Sequence, residues 1–397
     1  MTTPHRAPGG FPVVGVIGAG QLARMMVGPA AELGVTLSIL AESATASAAL
    51  VTPSAPVGAH DDLRAVLDFA RHCDVVTFDH EHVPGPVLEA LAVAGTVLHP
   101  SPAALVHAQD KLVMRERLTD LGIRCPRWAR ARTRADVVAF AGQVGWPVVA
   151  KTPRGGYDGK GVVLAQRPED LADWLAAVGS DGPLRDGILL EERVDFRREL
   201  AAIVARSPSG QAAAWPVTQT VQTDGVCTQA IGPAPDLDPG LAATVTEAAL
   251  QVAGALDVTG VLAVELFEVV DTAGSPSYVV NELAMRPHNS GHWTMDGAVT
   301  GQFEQHLRAV LDLPLGDPRP RQRYAVMANV LGGQDEELYS AYRHVMARDP
   351  GAKVHLYGKQ VRPGRKIGHV TVCGSDLAEL VERAEHAAGY LRGTIRE

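Results

Sequence analysis

The chain has 397 residues, too many for one ordinary hydrophobic core, so we expect roughly two to four domains. Hydrophobic residues (46%) and charged residues (20%) occur at ordinary globular levels, which excludes a disordered chain, and the net charge of −9 argues against nucleic acid as a partner. The cysteines are scattered without Cys-x-x-Cys spacing, and no apolar run reaches the roughly 18 residues of a membrane-spanning helix, so we expect reduced thiols, no membrane partner and a cytoplasmic location.

The first quarter of the chain alternates short apolar strands with helical stretches. Such a βαβ pattern predicts a parallel sheet covered by helices on both faces. The strands are predicted at residues 13–17, 36–40, 74–78 and 96–99, with a helix at 21–33.

The rest of the chain is richer in strand signals. Its predicted features, in chain order, are a break at 100–102, a helix at 111–121, a strand ending at Lys151, a glycine-rich loop, strands over 188–282 interrupted by a helix at about 238–256, a proline-rich linker at 314–320, and a C-terminal segment of strands with a last helix at 376–391.

A first glycine motif, residues 18–23 (Gly-Ala-Gly-Gln-Leu-Ala), follows a strand and opens a helix. Glu42 lies near the end of the second strand, 24 residues after Gly18, as in dinucleotide-binding folds. Glycines let backbone N–H groups at a helix N-terminus approach a phosphate, but they do not say whose phosphate it is. An NAD-dependent oxidoreductase and a tight turn without a ligand both stay open at this point.

A second glycine motif, Gly-Gly-Tyr-Asp-Gly-Lys-Gly at 155–161, follows Lys151 at the end of an apolar strand. Four glycines in seven residues can fold backbone N–H groups around phosphate oxygens, and we expect a mobile lid over a nucleotide. A lysine emerging from a buried strand needs an anionic partner, although a strand-end charge that reaches solvent is the alternative. Lys111 is a second candidate cation. No Gly-Lys-Ser/Thr sequence occurs, so this is not a Walker loop.

Two acidic residues lie in a predicted hairpin. A turn centred between Ala273 and Gly274 places Glu265 opposite Glu282, with Cβ atoms roughly 5 Å apart. The two carboxylates repel each other, and Glu265 lies in an apolar run. A bound cation should therefore offset the free-energy cost of placing these two charges together. Carboxylates from two strands, with Asn281 as a possible further oxygen ligand, suit Mg²⁺. The alternative is a hairpin edge with solvated acids.

Two polar segments follow. Arg-Pro-His-Asn-Ser-Gly-His at 286–292 carries His288 and His292 at a spacing that could bind zinc on a helix, but Pro287 and Gly291 disfavour a helix and the composition favours an anion pocket. Near the C-terminus lies a basic cluster that fits a substrate phosphate, with a solvated hairpin tip as the alternative. Its members are Lys359, Arg362, Arg365, Lys366 and His369.

In this order the motifs resemble those of the 5-(carboxyamino)imidazole ribonucleotide synthase family, ATP-grasp enzymes of bacterial and fungal purine biosynthesis. The likeness runs from about Val13 to Leu391 and includes Gln-Asp-Lys at 109–111, Asn-Glu-Leu-Ala at 281–284 and Arg-Pro-Gly-Arg-Lys-Ile-Gly-His at 362–369. It implies an α/β ATP-grasp fold with a Rossmann-like N-terminal domain, a mobile lid subdomain and a small β-rich C-terminal domain. The implied parts are 11–108 (Rossmann-like, pre-ATP-grasp), 109–187 (first ATP-grasp half with the lid), 188–315 (second half with the metal site) and 320–397 (substrate phosphate).

The resemblance also implies site residues. For ATP they are Lys111, Lys151, Gly156, Tyr157, Asp158, Gly159, Lys160, Gly161, Val162, Glu191, Glu192, Arg193, Val194, Glu199, Gln222, Asn281 and Glu282, with Glu191 to Val194 lining the adenine and Glu199 taking the ribose hydroxyls. Glu265 and Glu282 would bind Mg²⁺, with two ions expected. For 5-aminoimidazole ribonucleotide they are Gly20, Gln21, Asp79, Glu81, Tyr157, Asp158, Lys359, Arg365 and Lys366. Catalytic roles fall to Asp158, Arg286, His288 and Asn289.

Two departures from the family pattern concern this site. The family often has Asn-x-His where this chain has Thr220-Val221-Gln222, and a Glu-x-Glu pair where it has Asp79-His80-Glu81. The segment 334–349 is longer than usual and has no predicted role.

The implied reaction is ATP- and bicarbonate-dependent carboxylation of the amine of 5-aminoimidazole ribonucleotide by way of carboxyphosphate, and we expect a homodimer. Another ATP-grasp ligase, or a formyl transferase acting on a phosphoribosyl amine, is the nearest alternative. The basic C-terminal cluster favours a phosphorylated substrate over an amino acid. An NAD-dependent oxidoreductase and a non-catalytic nucleotide-binding regulator are the alternatives from other classes, but a regulator would not need paired metal carboxylates.

Overall fold

The computed structural model describes residues 6–156, 160–223 and 225–396. Tyr157, Asp158 and Gly159, for which the resemblance implies roles, lie outside the described residues. The described chain folds into three β-sheets with helices packed on them. No helix in this part of the chain is long and apolar enough to cross a membrane.

The N-terminal strands form a parallel sheet in the order β2-β1-β3 within residues 6–156. Helices α2 and α3 pack on one face and α1 on the other, which is why the strands are apolar along nearly their whole length. The strand predicted at 96–99 forms an isolated bridge between Val76 and Leu98 instead of a full strand. The elements are β1 (Val13–Ile17), α1 (Gln21–Glu32), β2 (Thr36–Leu40), α2 (Leu63–Ala70), β3 (Val75–Phe78) and α3 (Gly85–Val93).

The next region contains a small antiparallel sheet in the order β4-β7-β5-β6. Helix α6 and the segment around α7 pack on it through their own hydrophobic core. The glycine-rich loop connects β5 to β6. The elements are α4 (Pro102–Gln109), α5 (Lys111–Asp120), β4 (Trp128–Ala131), α6 (Arg134–Val144), β5 (Val148–Lys151), β6 (Val162–Ala165), α7 (Ala172–Ala177) and β7 (Ile188–Glu192).

The largest sheet has nine strands in the described part of the chain, in the order β13-β12-β8-β10-β11-β14-β16-β15, with β9 paired to β8. Strand β14 pairs with β11, so the C-terminal strands continue this sheet beyond the proline-rich linker. The elements are β8 (Arg198–Arg206), β9 (Ala212–Ala214), β10 (Thr218–Thr223), β11 (Val226–Gly232), α8 (Pro239–Ala255), β12 (Gly260–Val270), β13 (Pro276–Ala284), α9 (Thr294–Gly297), α10 (Gln302–Val310), β14 (Tyr324–Leu331), α11 (Tyr339–Arg348), β15 (Lys353–Leu356), β16 (Lys366–Gly374) and α12 (Leu377–Arg392).

The β12–β13 hairpin has the predicted register. Glu265 lies directly opposite Glu282, and the pairing shifts by one residue immediately afterwards, where Leu266 faces Val280. This β-bulge leaves Asn281 as the extra residue of β13. A bulge changes where neighbouring side chains point, so Asn281 and Glu282 need not alternate between the two faces as they would in a regular strand.

Candidate active site

Lys151 is the last residue of β5, and two side-chain oxygens hold its ammonium group. Its Nζ lies 2.8 Å from Oε2 of Glu191 and donates to Oδ1 of Asn281, also at 2.8 Å. Lys151 pairs with Leu189 across the neighbouring strand β7. Because side chains alternate along a strand, Glu191, two residues after Leu189, lies on the same side of the sheet as Lys151.

Arg115 of α5 is a second cation on the Glu191 carboxylate. Its Nε lies 2.5 Å from Oε1 of Glu191, and its Nη2 donates to the carbonyl of Asn281 at 2.6 Å. The side chains of Arg115 and Glu191 are 0% and 3% exposed. Burial alone would raise the pKa of Glu191, but the charges of Arg115 and Lys151 outweigh it and lower that pKa to about 2. Two cations around one carboxylate leave excess positive charge, which suits an anionic ligand such as a phosphate.

Glu265 and Glu282, opposite each other in the hairpin, each lie beside a basic side chain. Nε2 of His288 is 3.1 Å from Oε1 of Glu265, and Nζ of Lys111 is 3.7 Å from Oε1 of Glu282. Burial raises the pKa of Glu265, but the hydrogen bond and charge of His288 bring it below its usual range, which keeps the carboxylate ionised. The two side chains are still 34% and 38% exposed, so their oxygens are accessible. This donor set fits a hard, oxygen-preferring cation such as Mg²⁺.

The polar loop after β13 places Arg286 and His288 beside acids from two parts of the chain. Nε of Arg286 lies 2.7 Å from Oε2 of Glu81, which follows β3 of the N-terminal sheet. Burial raises the pKa of Glu81, but the Arg286 guanidinium lowers it overall, so the pair is ionic. Nδ1 of His288 lies 2.9 Å from Oγ of Ser290, and Asn289 begins a short 3₁₀ turn, its side chain beside the Cys227 thiol.

His288 and His292 do not converge on one ligand position. His292 is fully buried, and its Nδ1 lies 2.8 Å from Nε2 of Gln302, whereas His288 faces Glu265. The 3₁₀ turn between them replaces the helix that an i, i+4 zinc pair would need, as Pro287 and Gly291 predict. The geometry therefore argues against zinc binding by this pair, and the anion pocket stays the prediction for this loop.

The residues expected around the nucleoside lie on β7, β8 and β10 or just after β7. Both carboxylate oxygens of Glu192 accept from Arg127, at 2.8 Å from the backbone N–H and 2.7 Å from Nε. Burial raises the pKa of Glu199; a hydrogen bond from the Gln222 side chain opposes that rise, and the negative charge of Glu265 adds to it. Gln222 therefore contacts Glu199, the residue predicted to bind the ribose hydroxyls. Arg193 is exposed and Val194 half-buried just after β7.

Gly156 and Gly161, at the two ends of the glycine-rich loop, occupy positions that only glycine suits. Gly156 and Gly161 have φ values of 80° and 73°, in the left-handed region. A Cβ on Gly156 would meet the carbonyl oxygen of Lys160 at 2.5 Å, and one on Gly161 would meet Oγ1 of Thr152 at 2.5 Å. The N–H of Thr152 donates to the carbonyl of Gly161 at 2.9 Å, which closes the base of the loop just before Val162 begins β6.

The predicted substrate-phosphate residues come from opposite ends of the chain. Nζ of Lys359 donates to Oε1 of Gln21, and the same ammonium lies 5.8 Å from the centroid of the Tyr357 ring. Arg365 donates to the backbone carbonyl of Gln360 at 3.4 Å, and Lys366 begins β16. The structure thus brings Lys359 to the first glycine motif.

Asp79 binds the N-terminus of α1 in that motif. Its carboxylate accepts from the N–H groups of Gly20 and Ala23, both at 2.7 Å. A Cβ on Gly20 would lie 2.3 Å from Oδ2 of Asp79, so glycine is required for this approach. These are N–H groups that a dinucleotide pyrophosphate would use at a helix N-terminus, and here an internal carboxylate occupies them. The geometry therefore argues against the NAD interpretation.

Three family models match the chain: the ribonucleotide synthetase preATP-grasp domain over residues 12–109, the ATP-grasp domain over 116–303 and the phosphoribosylaminoimidazole carboxylase C-terminal domain over 325–383. The N5-carboxyaminoimidazole ribonucleotide synthase of Mycobacterium tuberculosis is 54% identical over 383 residues, which are 96% of this chain and 88% of the relative. The chain belongs to the N5-carboxyaminoimidazole ribonucleotide synthase family.

Solved synthase structures have the same fold. Two from Aspergillus clavatus, one complexed with ATP and one with ADP and 5-aminoimidazole ribonucleotide, are each 30% identical to this chain and cover 97% of it and 99% of their own chains. Their TM-scores are 0.85 and 0.84. These comparisons confirm the family, the ATP-grasp fold and the ATP-dependent ligase class that the motifs predicted.

Arg115 belongs to this candidate site and was missed by sequence reasoning. It lies within a mostly polar helix, Lys-Leu-Val-Met-Arg-Glu-Arg-Leu-Thr-Asp, where a charged residue is ordinary. Its burial depends on the approach of β7 and β13, which local sequence does not predict. Glu191, placed with the adenine residues by resemblance, has its carboxylate turned to Arg115 and Lys151.

Proposed function

We propose that this chain joins ATP, bicarbonate and 5-aminoimidazole ribonucleotide into 5-(carboxyamino)imidazole ribonucleotide, with release of ADP and phosphate, in purine biosynthesis. The observation that carries the proposal is a chain of contacts that joins Lys151, the two opposed glutamates and His288 in one site. Lys151 donates to Asn281, which adjoins Glu282. Glu282 lies opposite Glu265, and Glu265 lies 3.1 Å from His288. Family membership supports the substrates.

The nucleotide would bind between the small sheet and the hairpin. Lys111 and Lys151 would neutralise the ATP phosphates under the glycine-rich loop, and Glu199 with Gln222 would take the ribose. Glu265 and Glu282 are the residues that would hold Mg²⁺, with two ions proposed. When bound, magnesium supplies positive charge that offsets the charge on the phosphate oxygens.

The anion pocket would hold the carboxyl donor. A bicarbonate oxygen attacks the γ-phosphorus, the bond to the β-phosphate oxygen breaks, and ADP leaves as carboxyphosphate forms. Arg286, fixed by Glu81, would bind the carboxyphosphate with His288 and Asn289. The substrate amine then attacks the carboxyl carbon, inorganic phosphate leaves with its bonding electrons, and the amine proton passes to a base. Asp158, outside the described residues, is proposed as that base.

The ribose phosphate of the substrate would bind where the two ends of the chain meet. Lys359, which contacts Gln21, and Arg365 with Lys366 would supply positive charge to the phosphate. The turn at Gly20 would lie beside the phosphate, with the Gly20 N–H still bonded to Asp79. Glu81 acts in this proposal by positioning Arg286, and Asp79 by holding α1.

The division of the chain into four parts, a homodimer and a cytoplasmic location are also proposals. Analytical ultracentrifugation tests the homodimer.

The experiment is ADP release from ATP and Mg²⁺ with 5-aminoimidazole ribonucleotide and bicarbonate added singly and together. We expect ADP release to depend strongly on the ribonucleotide, and Glu282→Gln to abolish it while the circular dichroism spectrum stays unchanged. Cleavage of ATP that ignores the ribonucleotide but responds to another phosphorylated amine would overturn the substrate. Normal turnover by Glu282→Gln would overturn the metal assignment.

A further inference from the structure

Three side chains outside the proposed site converge at the carboxyl edge of the parallel sheet. Glu42 follows β2, His80 follows β3, and His60 lies in the segment that pairs beside β2, where Val57 bridges to Ala41. One ligand atom from each of the three lies within 4.8 Å of the others. Loops at the carboxyl ends of parallel strands are where open α/β sheets bind ligands.

The arrangement of the three is compact. Nδ1 of His60 lies 3.3 Å from Oε1 of Glu42. The rings of His60 and His80 meet nearly edge to face, with centroids 4.7 Å apart and planes at 76°. Two imidazoles and one carboxylate on three separate loops therefore face a common point.

Two nitrogens of this group lack a hydrogen-bond partner among the described residues. Nδ1 of His60 and Nε2 of His80 are buried and make no hydrogen bond to any described residue. Oε1 of Glu42 approaches Nδ1 of His60 to 3.3 Å, but this contact does not have the geometry of a hydrogen bond. Buried polar atoms in native proteins are nearly always bonded, and the proposed reaction does not use either histidine, so these nitrogens point to a ligand of their own.

We propose that Glu42, His60 and His80 bind a divalent transition-metal ion, with Zn²⁺ the best fit. Imidazole nitrogens suit Zn²⁺ and its neighbours in the transition series, whereas Mg²⁺ prefers an all-oxygen shell. Three protein ligands leave a fourth position for water, which is a common zinc arrangement. The site is thus distinct in ligand chemistry from the paired glutamates of the hairpin.

Binding requires one proton shift in His80. Its Nδ1 accepts from the backbone N–H of His82 at 3.1 Å. Ligation through Nε2 places the ring proton on Nδ1, so the bond to the metal replaces this contact. His82 is exposed, and its N–H then bonds to water. The ion fixes His80 between Asp79, which binds α1, and Glu81, which pairs with Arg286.

The test is titration of the full-length, tag-free protein with Zn²⁺ in a calorimeter, with saturating Mg²⁺ and ADP to occupy the hairpin carboxylates. We expect one ion per chain, and Glu42→Gln and His60→Gln to weaken binding by more than roughly tenfold. His72→Gln, a partly exposed histidine of the same domain outside the group, should bind as the unmodified protein does.

Co²⁺ gives a second readout that does not depend on activity. The unmodified protein and His72→Gln should develop the visible absorption of Co²⁺ bound through nitrogen, and His60→Gln should not. No stoichiometric Zn²⁺ binding by the unmodified protein, or binding that Glu42→Gln and His60→Gln leave unchanged, would overturn the proposal. Thermal melts without metal establish that both variants are folded.

Discussion

Arg115 shows how one buried charge can organise a site. It shares the Glu191 carboxylate with Lys151 and also binds the Asn281 carbonyl at the bulge of β13. Without Arg115, Glu191 and Lys151 would form a neutral pair, and the carbonyl would lose its donor. A buried ion pair stabilises little compared with apolar residues, but removing Arg115 leaves the buried Oε1 of Glu191 and the carbonyl of Asn281 without their donor.

Replacing Arg115 by Met should therefore lower the free energy of unfolding by about 3 kcal/mol, since a buried network is broken from one side. Urea unfolding followed by circular dichroism measures the loss. Arg130→Met is the matched control, because Arg130 lies 2.7 Å from Glu116 in a surface pair whose side chains are 33% and 52% exposed. That variant should lose at most about 1 kcal/mol. Equal losses in the two variants would contradict the role given to Arg115.

At the scale of elements, the hairpin register was predictable and the bulge was not. A fixed turn centre determines which residues of two antiparallel strands face each other, so the pairing of Glu265 with Glu282 followed from sequence and is confirmed. The β-bulge at Asn281 adds a single residue to an otherwise regular strand pattern. The residues that bond to Asn281, Lys151 and Arg115, are distant in sequence. Local pattern carries no signal for it.

The N-terminus of α1 illustrates the same limit. The glycines predicted a helix N-terminus that could receive an anion, and the structure places there the carboxylate of Asp79, 59 residues from Gly20. That contact exists because β3 lies beside β1, an adjacency that the βαβ pattern allows but does not specify. From sequence, Asp79 could be assigned only by resemblance, to the substrate.

Asp79→Ala should lower the free energy of unfolding by about 2 kcal/mol, at the upper end for a lost helix cap, because two N–H groups of a buried helix end lose their acceptor. Chemical denaturation monitored by tryptophan fluorescence measures the change. Asp62→Ala removes the exposed cap of α2, which accepts from Arg64 and Ala65, and should cost about 0.5 to 1 kcal/mol. If Asp79→Ala costs no more than Asp62→Ala, the carboxylate is not an important anchor of α1.

At the scale of the whole molecule, the candidate site draws on residues in or next to all three sheets of the described chain. Glu81 comes from the N-terminal sheet, Lys151 from the small antiparallel sheet, and Glu282 with Arg286 from the large one, while Lys359 reaches back to Gln21. The sequence predicted a C-terminal segment after the proline-rich linker; it did not predict that the strands of this segment join the large sheet through the pairing of β11 with β14. The pattern of apolar residues predicts where strands occur. It does not predict which strands pair when they lie about a hundred residues apart in sequence.

The Glu81–Arg286 pair is the contact through which the N-terminal sheet acts on the chemistry. The Arg286 guanidinium keeps Glu81 ionised. Burial lowers the pKa of Arg286, but the Glu81 charge outweighs burial and leaves that pKa raised, so both groups are charged throughout the neutral range. If Arg286 binds carboxyphosphate, its guanidinium must be held in one orientation before the amine attacks. Glu81 supplies that orientation from a different part of the chain.

Glu81→Gln keeps the size of the side chain but removes the charge that holds Arg286. We expect kcat to fall by roughly tenfold to a hundredfold, as for a misplaced catalytic group, while KM for ATP changes by less than about twofold because Lys151 and the hairpin acids are untouched. Glu89→Gln, on the exposed surface of α3, should leave both constants unchanged. A rise in KM for ATP with normal kcat would instead place Glu81 in nucleotide binding. An unchanged enzyme would mean that Arg286 is held by the loop itself, with its ion pair to the N-terminal sheet dispensable.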